Sequence, residues 1–164
     1  MQSDDAESTG PKNAIDRLAS SSVFFACTAL AAIVVVESWQ VFARYVLNDS
    51  PSWTEPVALL LMSTTLMLGA AAGVRSQRHF GFLLLLDHVP PKVRHVLLLM
   101  QKAISAGIGM MLAWWGGEMV VDAWDYSMAG AALPQGTAYL PVCIGGALIF
   151  LFSLEQLVAR LRSS

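Results

Sequence analysis

Proton-coupled transport needs a carboxylate inside an apolar helix, haem ligation needs histidines on facing spans, and metal binding needs clustered His, Cys, Asp or Glu. This chain has few candidates for any of them. Glu37, Glu55 and Glu118 each fall at or near the end of an apolar run, and Lys102 falls near the start of another. His79, His88 and His95 all belong to one polar connection, so they cannot supply axial pairs from facing spans and read as interfacial residues. There is no zinc-type spacing, no nucleotide-binding loop and no serine beside a plausible buried base, so the sequence supports no catalytic, cofactor or metal site and no enzyme. Cys27 and Cys143 fall at different depths of their spans and read as small packing residues rather than a bridge.

The elements that hold these residues are apolar and long. The chain of 164 residues is 55% hydrophobic and 13% charged, with a mean hydropathy of +0.57, more apolar surface than a soluble domain of this size can hide. Pro56 to Val74 is a run of 19 residues without a charge, which at ~1.5 Å per residue matches the ~30 Å hydrocarbon layer. Similar windows give four expected spans, at about 19–47, 54–74, 92–121 and 138–158. The expected class is therefore all-α and integral to the membrane. Residues 1–14 read as an acidic, disordered cytoplasmic tail without the basic n-region of a secretory signal, and 15–164 as a single four-helix membrane domain.

Basic residues set the orientation. Lys12 and Arg17 precede the first span, Arg75, Arg78, Lys92 and Arg94 lie between the second and third, and Arg160 and Arg162 follow the fourth. These are eight of the ten basic residues, all on one side of a four-span protein, which places both termini in the cytoplasm. The basic groups are more simply orientation signals than nucleic-acid contacts. Lys102 is expected to snorkel from the inner edge of the third span to water.

Each boundary carries its own local signal. The first helix is expected to outrun the hydrocarbon by about three turns, carrying Glu37, Trp39, Arg44 and Tyr45 into the outer interface. Glu37 and Arg44 are seven residues apart and share a helix face, either as solvated interfacial charges or as partners for another helix or subunit. Asn48-Asp49-Ser50-Pro51-Ser52 is a turn by composition, and Thr54 is an expected N-cap for the second span, with Glu55 and Pro56 in its first turn and Trp53 at the interface. Gly69 and Gly73 form a G-x-x-x-G spacing that serves either internal packing or a subunit contact. The segment 75–91, with an apolar run Phe80–Leu86 too short to span, is expected to lie flat as an interfacial arm against lipid headgroups, and Pro91 to start the next helix. Glycines at 107, 109, 116 and 117, and Gly145-Gly146 in the fourth span, offer close-packing surfaces.

Taken in order, Phe42-Ala43-Arg44-Tyr45-Val46-Leu47-Asn48, Trp53-Thr54-Glu55, Leu68-Gly69-Ala70-Ala71, Arg75 with His79-Phe80 and Asp87, then Pro90 and Arg94, resemble the small four-helix membrane subunit of tripartite ATP-independent periplasmic (TRAP) transporters. The resemblance covers about residues 20–160. Pro56 stands where the family often has a second acid, so Glu55 alone is carried over.

The resemblance implies a bacterial inner-membrane accessory subunit. Its partners would be a large membrane subunit, driven by a sodium gradient, and a periplasmic binding protein that delivers a carboxylate-bearing solute. Position and resemblance together give structural or interface candidates at Glu37, Arg44, Trp53, Glu55, Gly69, Gly73, Arg75 and His79, with Arg44 and Glu55 expected to fix the outer ends of the first two spans. The main alternative is a stand-alone four-helix proton-coupled multidrug exporter using Glu37, which the position of Glu37 beyond its apolar run disfavours. A haem-bearing electron-transfer subunit is disfavoured by the histidine positions.

Overall fold

A computed structural model of the chain describes residues 14–76 and 91–162. The segment 77–90, with His79, His88 and most of the expected interfacial arm, lies outside the described residues, as does the tail before residue 14. The described chain folds into α1 (Ala14–Tyr45), α2 (Thr54–Ser76), α3 (Pro91–Asp122), a short 3-10 helix (Gln135–Tyr139) and α4 (Leu140–Arg162). All four α-helices are long and apolar enough to cross a membrane. No strand occurs among the described residues beyond an isolated bridge between Ser127 and Pro134.

The boundaries follow local chemistry. Asn48 adopts φ 53°, the left-handed conformation that asparagine tolerates, and the chain closes back with the Asp49 N–H on the Ala43 carbonyl at 3.1 Å. α2 does not use Thr54 as its N-cap, contrary to the sequence expectation. The Trp53 carbonyl accepts the first helical bond from Val57, while the fully buried Thr54 hydroxyl donates to the Pro51 carbonyl at 2.8 Å. The hydroxyl thus tightens the turn instead of receiving an amide. α3 starts at Pro91, where a missing N–H costs no helical bond. The fourth span begins with a 3-10 turn in which Thr137 N–H and Oγ1 both donate to the Pro134 carbonyl, so its α-helix starts only at Leu140.

The helices pack as a row in the order α1, α2, α4, α3 rather than closing into a bundle. α1 packs on α2, α2 on α4 and α4 on α3, and no other pair of these helices makes more than marginal contact. Small residues make the seams. Ser22, Ala26, Ala29 and Ala43, all small, are the buried residues of α1, the helix that packs on α2. Gly146 of α4 faces α3 so closely that an added Cβ would lie 2.6 Å from the Ala113 nitrogen, and Gly145 meets Met67 of α2 on the other side. Gly109 and Gly116 complete the α3–α4 seam against Phe150 and Cys143. α4 is thus the centre of the row, and its Phe152 and Ser153 are fully buried.

A row has two broad faces and little interior. The core reduces to Ala71, Ile149 and Phe152, with Ile15, Ala19, Val74 and Leu148 packed around it. Phe24, Val35, Leu59, Met62, Leu66 and Ile104 are all exposed, as expected for residues meeting lipid tails or another membrane protein. Among the described residues, nothing lies within 4 Å of where a Cβ on Gly69 or Gly73 would sit. Both cysteines are free, as their depths implied.

Candidate functional site

Polar side chains gather at the two ends of the row, and the ends differ in kind. At the end carrying Arg75, five side chains form one connected lattice. Asp16 lies in the first turn of α1 and Arg75 in the last turn of α2, because the two helices run antiparallel from a common turn. Arg75 donates through Nε and Nη2 to Asp16 Oδ1 at 3.3 and 2.6 Å, and through Nη1 to Glu155 Oε2 of α4. Its guanidinium fork therefore joins three helices.

The adjacent Gln156 extends the lattice to α3. Its Nε2 donates to the Val74 and Arg75 carbonyls at 3.2 and 3.3 Å, satisfying the last turn of α2, and its Oε1 accepts from Lys102 Nζ. Gln156 and Lys102 are 6% and 4% exposed, so both are effectively dry. The expectation that Lys102 reaches water fails for this reason. An amide acceptor on the neighbouring helix holds the ammonium inside the layer, where sequence distance gave no sign of it. Among the described residues the lattice holds two cations and two carboxylates, and the chain of contacts follows the packing order of the helices.

At the opposite end, α1 and α2 border an open groove of about 480 Å³. Glu37, Gln40 and Arg44 of α1 line it, spaced so that they share one face, together with Glu55 of α2. Ile33, Ala58, Leu59 and Met62 form its apolar part. Among the described residues, Glu37, Arg44 and Glu55 make no hydrogen bond or ion pair through their side chains. Arg44 and Glu55 share this groove without an ion pair between them among the described residues, and the Ser52 hydroxyl in the α1–α2 turn donates to the Gly130 carbonyl of the loop after α3 at 3.1 Å. Gly130 adopts φ 84°, and a Cβ there would lie 2.4 Å from the Ser52 oxygen, so the loop after α3 seats on the α1–α2 turn only through a glycine. Glu55 also borders a second recess of about 340 Å³ lined by Ser52, Pro56, Met128, Ala129 and Gln135.

Trp53 is exposed beside this end, and Trp114 donates through Nε1 to Glu118 at 3.1 Å on α3. No group of three or more His, Cys, Asp or Glu able to hold a metal occurs among the described residues. Of the candidates named from sequence, the structure brings Glu37, Arg44 and Glu55 together, places Arg75 in the opposite lattice, and leaves Gly69 and Gly73 on an open face; His79 lies outside the described residues. Asp16, Glu155 and Gln156 were not among those candidates. The available signal was their polarity at helix ends, which does not distinguish a lattice from solvated termini.

The family model for "Tripartite ATP-independent periplasmic transporters, DctQ component" matches residues 32–163. The small permease protein of a sialic acid TRAP transporter from Vibrio cholerae, SiaQ, is 31% identical over 84 residues, 51% of this chain and 49% of that protein. The match therefore spans about half the length of the relative. Four membrane-crossing helices and a family match over most of the chain agree: it is a multi-pass membrane protein belonging to the DctQ family, the small membrane components of TRAP transporters.

Proposed function

We propose that this chain is the scaffold subunit that holds the large permease subunit of a TRAP transporter, in a system that takes up a carboxylate-bearing solute on a sodium gradient. A periplasmic binding protein delivers that solute. The single observation that carries this reading is the distribution of polarity. Between the Arg75 lattice and the Glu37–Arg44–Glu55 groove, the apolar stretches 18–36, 56–74, 103–117 and 140–154 contain no ionisable residue other than Cys27 and Cys143. A subunit that bound and released a polar solute by itself would need such groups at mid-depth. A one-layer row with two apolar faces suits a brace against a larger membrane protein. The relative's name supports the solute class, since sialic acid carries a carboxylate.

The basic end, with Arg75 and both termini, faces the cytoplasm by the positive-inside rule. The open face of α2, with Gly69 and Gly73, lets a helix of the large subunit approach closely, and Glu37, Arg44, Trp53 and Glu55 form the polar border of that contact. The test is affinity purification of the tagged chain from native membranes, paired with solute uptake. Recovery of a large multi-span subunit, reduced together with uptake in Arg44→Ala and Glu55→Ala, is the expected result. Unchanged recovery and uptake in both variants would sink the assignment of the border. Proton-coupled drug export by the purified chain alone would overturn the whole reading.

A further inference from the structure

The groove between α1 and α2 is more specific than an open face. It holds two carboxylates and one guanidinium, none of them paired within the described chain, so it carries one excess negative charge. The groups also differ in depth. Arg44 and Glu55 stand at the shallow end, near Tyr45 and Trp53, whereas Glu37 lies seven residues before Arg44 on a continuous helix, about 10 Å deeper. Apolar Ile33, Leu59 and Met62 line the groove around and below that level. Glu37, Arg44 and Glu55 are all exposed, and an unpaired excess carboxylate beside this apolar lining calls for a cation brought to it.

We propose that the groove receives a lysine or arginine side chain from a transmembrane helix of the large subunit, ion-paired to Glu37 with Glu55 closing the shallow end; this rests on the subunit reading above. Charge and lining select this occupant: the groove carries one excess negative charge, and the aliphatic stem of a lysine or arginine lies against Leu59 and Met62 while its cation reaches Glu37, about two turns along α1 from Arg44. Arg44 leaves the groove one unmatched negative charge, enough for a single cation.

The test uses the full-length tagged chain co-expressed with its large subunit. Glu37→Gln is expected to lower recovery of the large subunit by about tenfold, and Glu37→Lys to lower it further. Glu37→Asp retains part of the recovery, and the thermal midpoint of the chain purified alone stays unchanged in all three variants, which separates docking from folding. Suppressors of Glu37→Lys selected for restored uptake should map to a basic residue of the large subunit changed to an acidic one. Wild-type recovery of the large subunit by Glu37→Lys would overturn the groove proposal alone. So would loss of recovery in wild type on removing phosphatidylethanolamine with no further effect of Glu37→Gln, which would assign the groove to lipid. Failure of the wild-type chain to bring down any large subunit would overturn the subunit reading, and the proposal with it.

Discussion

At the Arg75 end, Asp16, Arg75, Glu155, Gln156 and Lys102 satisfy one another across all four helices; at the Glu55 end, Glu37, Arg44 and Glu55 line a common groove and satisfy nothing. Composition does not explain the difference, because both ends mix acids with bases. Helix order does. α4 sits between α2 and α3 and carries its polar pair at the level where α2 ends, so charges from the outer helices of the row converge on it. At the other end α4 begins after a loop and a 3-10 turn, with apolar Leu140 and Pro141 in its first turn. A pairwise row can lock one end internally and leave the other for a second protein. The lattice should therefore govern whether the subunit folds, and the groove whether it assembles.

The sharpest way to break this contrast is Gln156→Leu. The replacement has similar bulk but removes both donors to the end of α2 and one acceptor of the buried Lys102 ammonium. We expect a loss of about 2 to 3 kcal/mol, read as a lowered thermal midpoint of the detergent-purified chain. A midpoint within the error of wild type would show that the lattice does not bind the row together.

Arg75→Met comes next. It leaves Asp16 and Glu155 without their shared cation, but these carboxylates are 44% and 31% exposed and can be solvated. The expected loss is about 1 to 2 kcal/mol, discounted for that exposure. A larger loss than for Gln156→Leu would reverse the ranking and make the ion pairs, rather than the dry amide, the main connection.

Much of the fold was legible in the sequence, and the lattice was not. Apolar run length alone sets the four spans, Asn48 and Pro51 announce the first turn, and Pro91 announces the start of α3, because each of these is a local backbone or solvation constraint. The lattice depends instead on which helices are neighbours, and nothing local says that α4 lies between α2 and α3. Lys102 illustrates the consequence. Its flexible stem is compatible with reaching water, yet the residue is buried and donates to the nearby Gln156 amide. Glycine spacing suffers the same limit, since rotation about the helix axis decides which glycine meets a backbone. Gly146 does and Gly69 does not, although the pattern around Gly69 matches the packing motif better.

That limit supplies the third prediction. Gly69→Ala and Gly73→Ala add a methyl into open space on α2, so the isolated chain should keep or gain stability by up to about 1 kcal/mol through helix propensity. Gly146→Ala drives its methyl toward the Ala113 nitrogen and should destabilise it. If the Gly69 and Gly73 variants lower the thermal midpoint of the isolated chain, the face is not open, and the distinction between internal and external seams fails.

The smallest effect on folding is expected at the groove itself. Arg44→Ala removes a guanidinium with no hydrogen bond or ion pair among the described residues, from an exposed position on α1, and should change the stability of the isolated chain by no more than about 0.5 kcal/mol. The same substitution alters the charge of the groove by one unit and removes its only cation. Two measurements on one variant then divide folding from assembly: an unchanged thermal midpoint beside reduced recovery of the large subunit is what an external role for this end requires. A lowered midpoint would mean that Arg44 braces α1 against its own chain, and the two ends would differ in degree only.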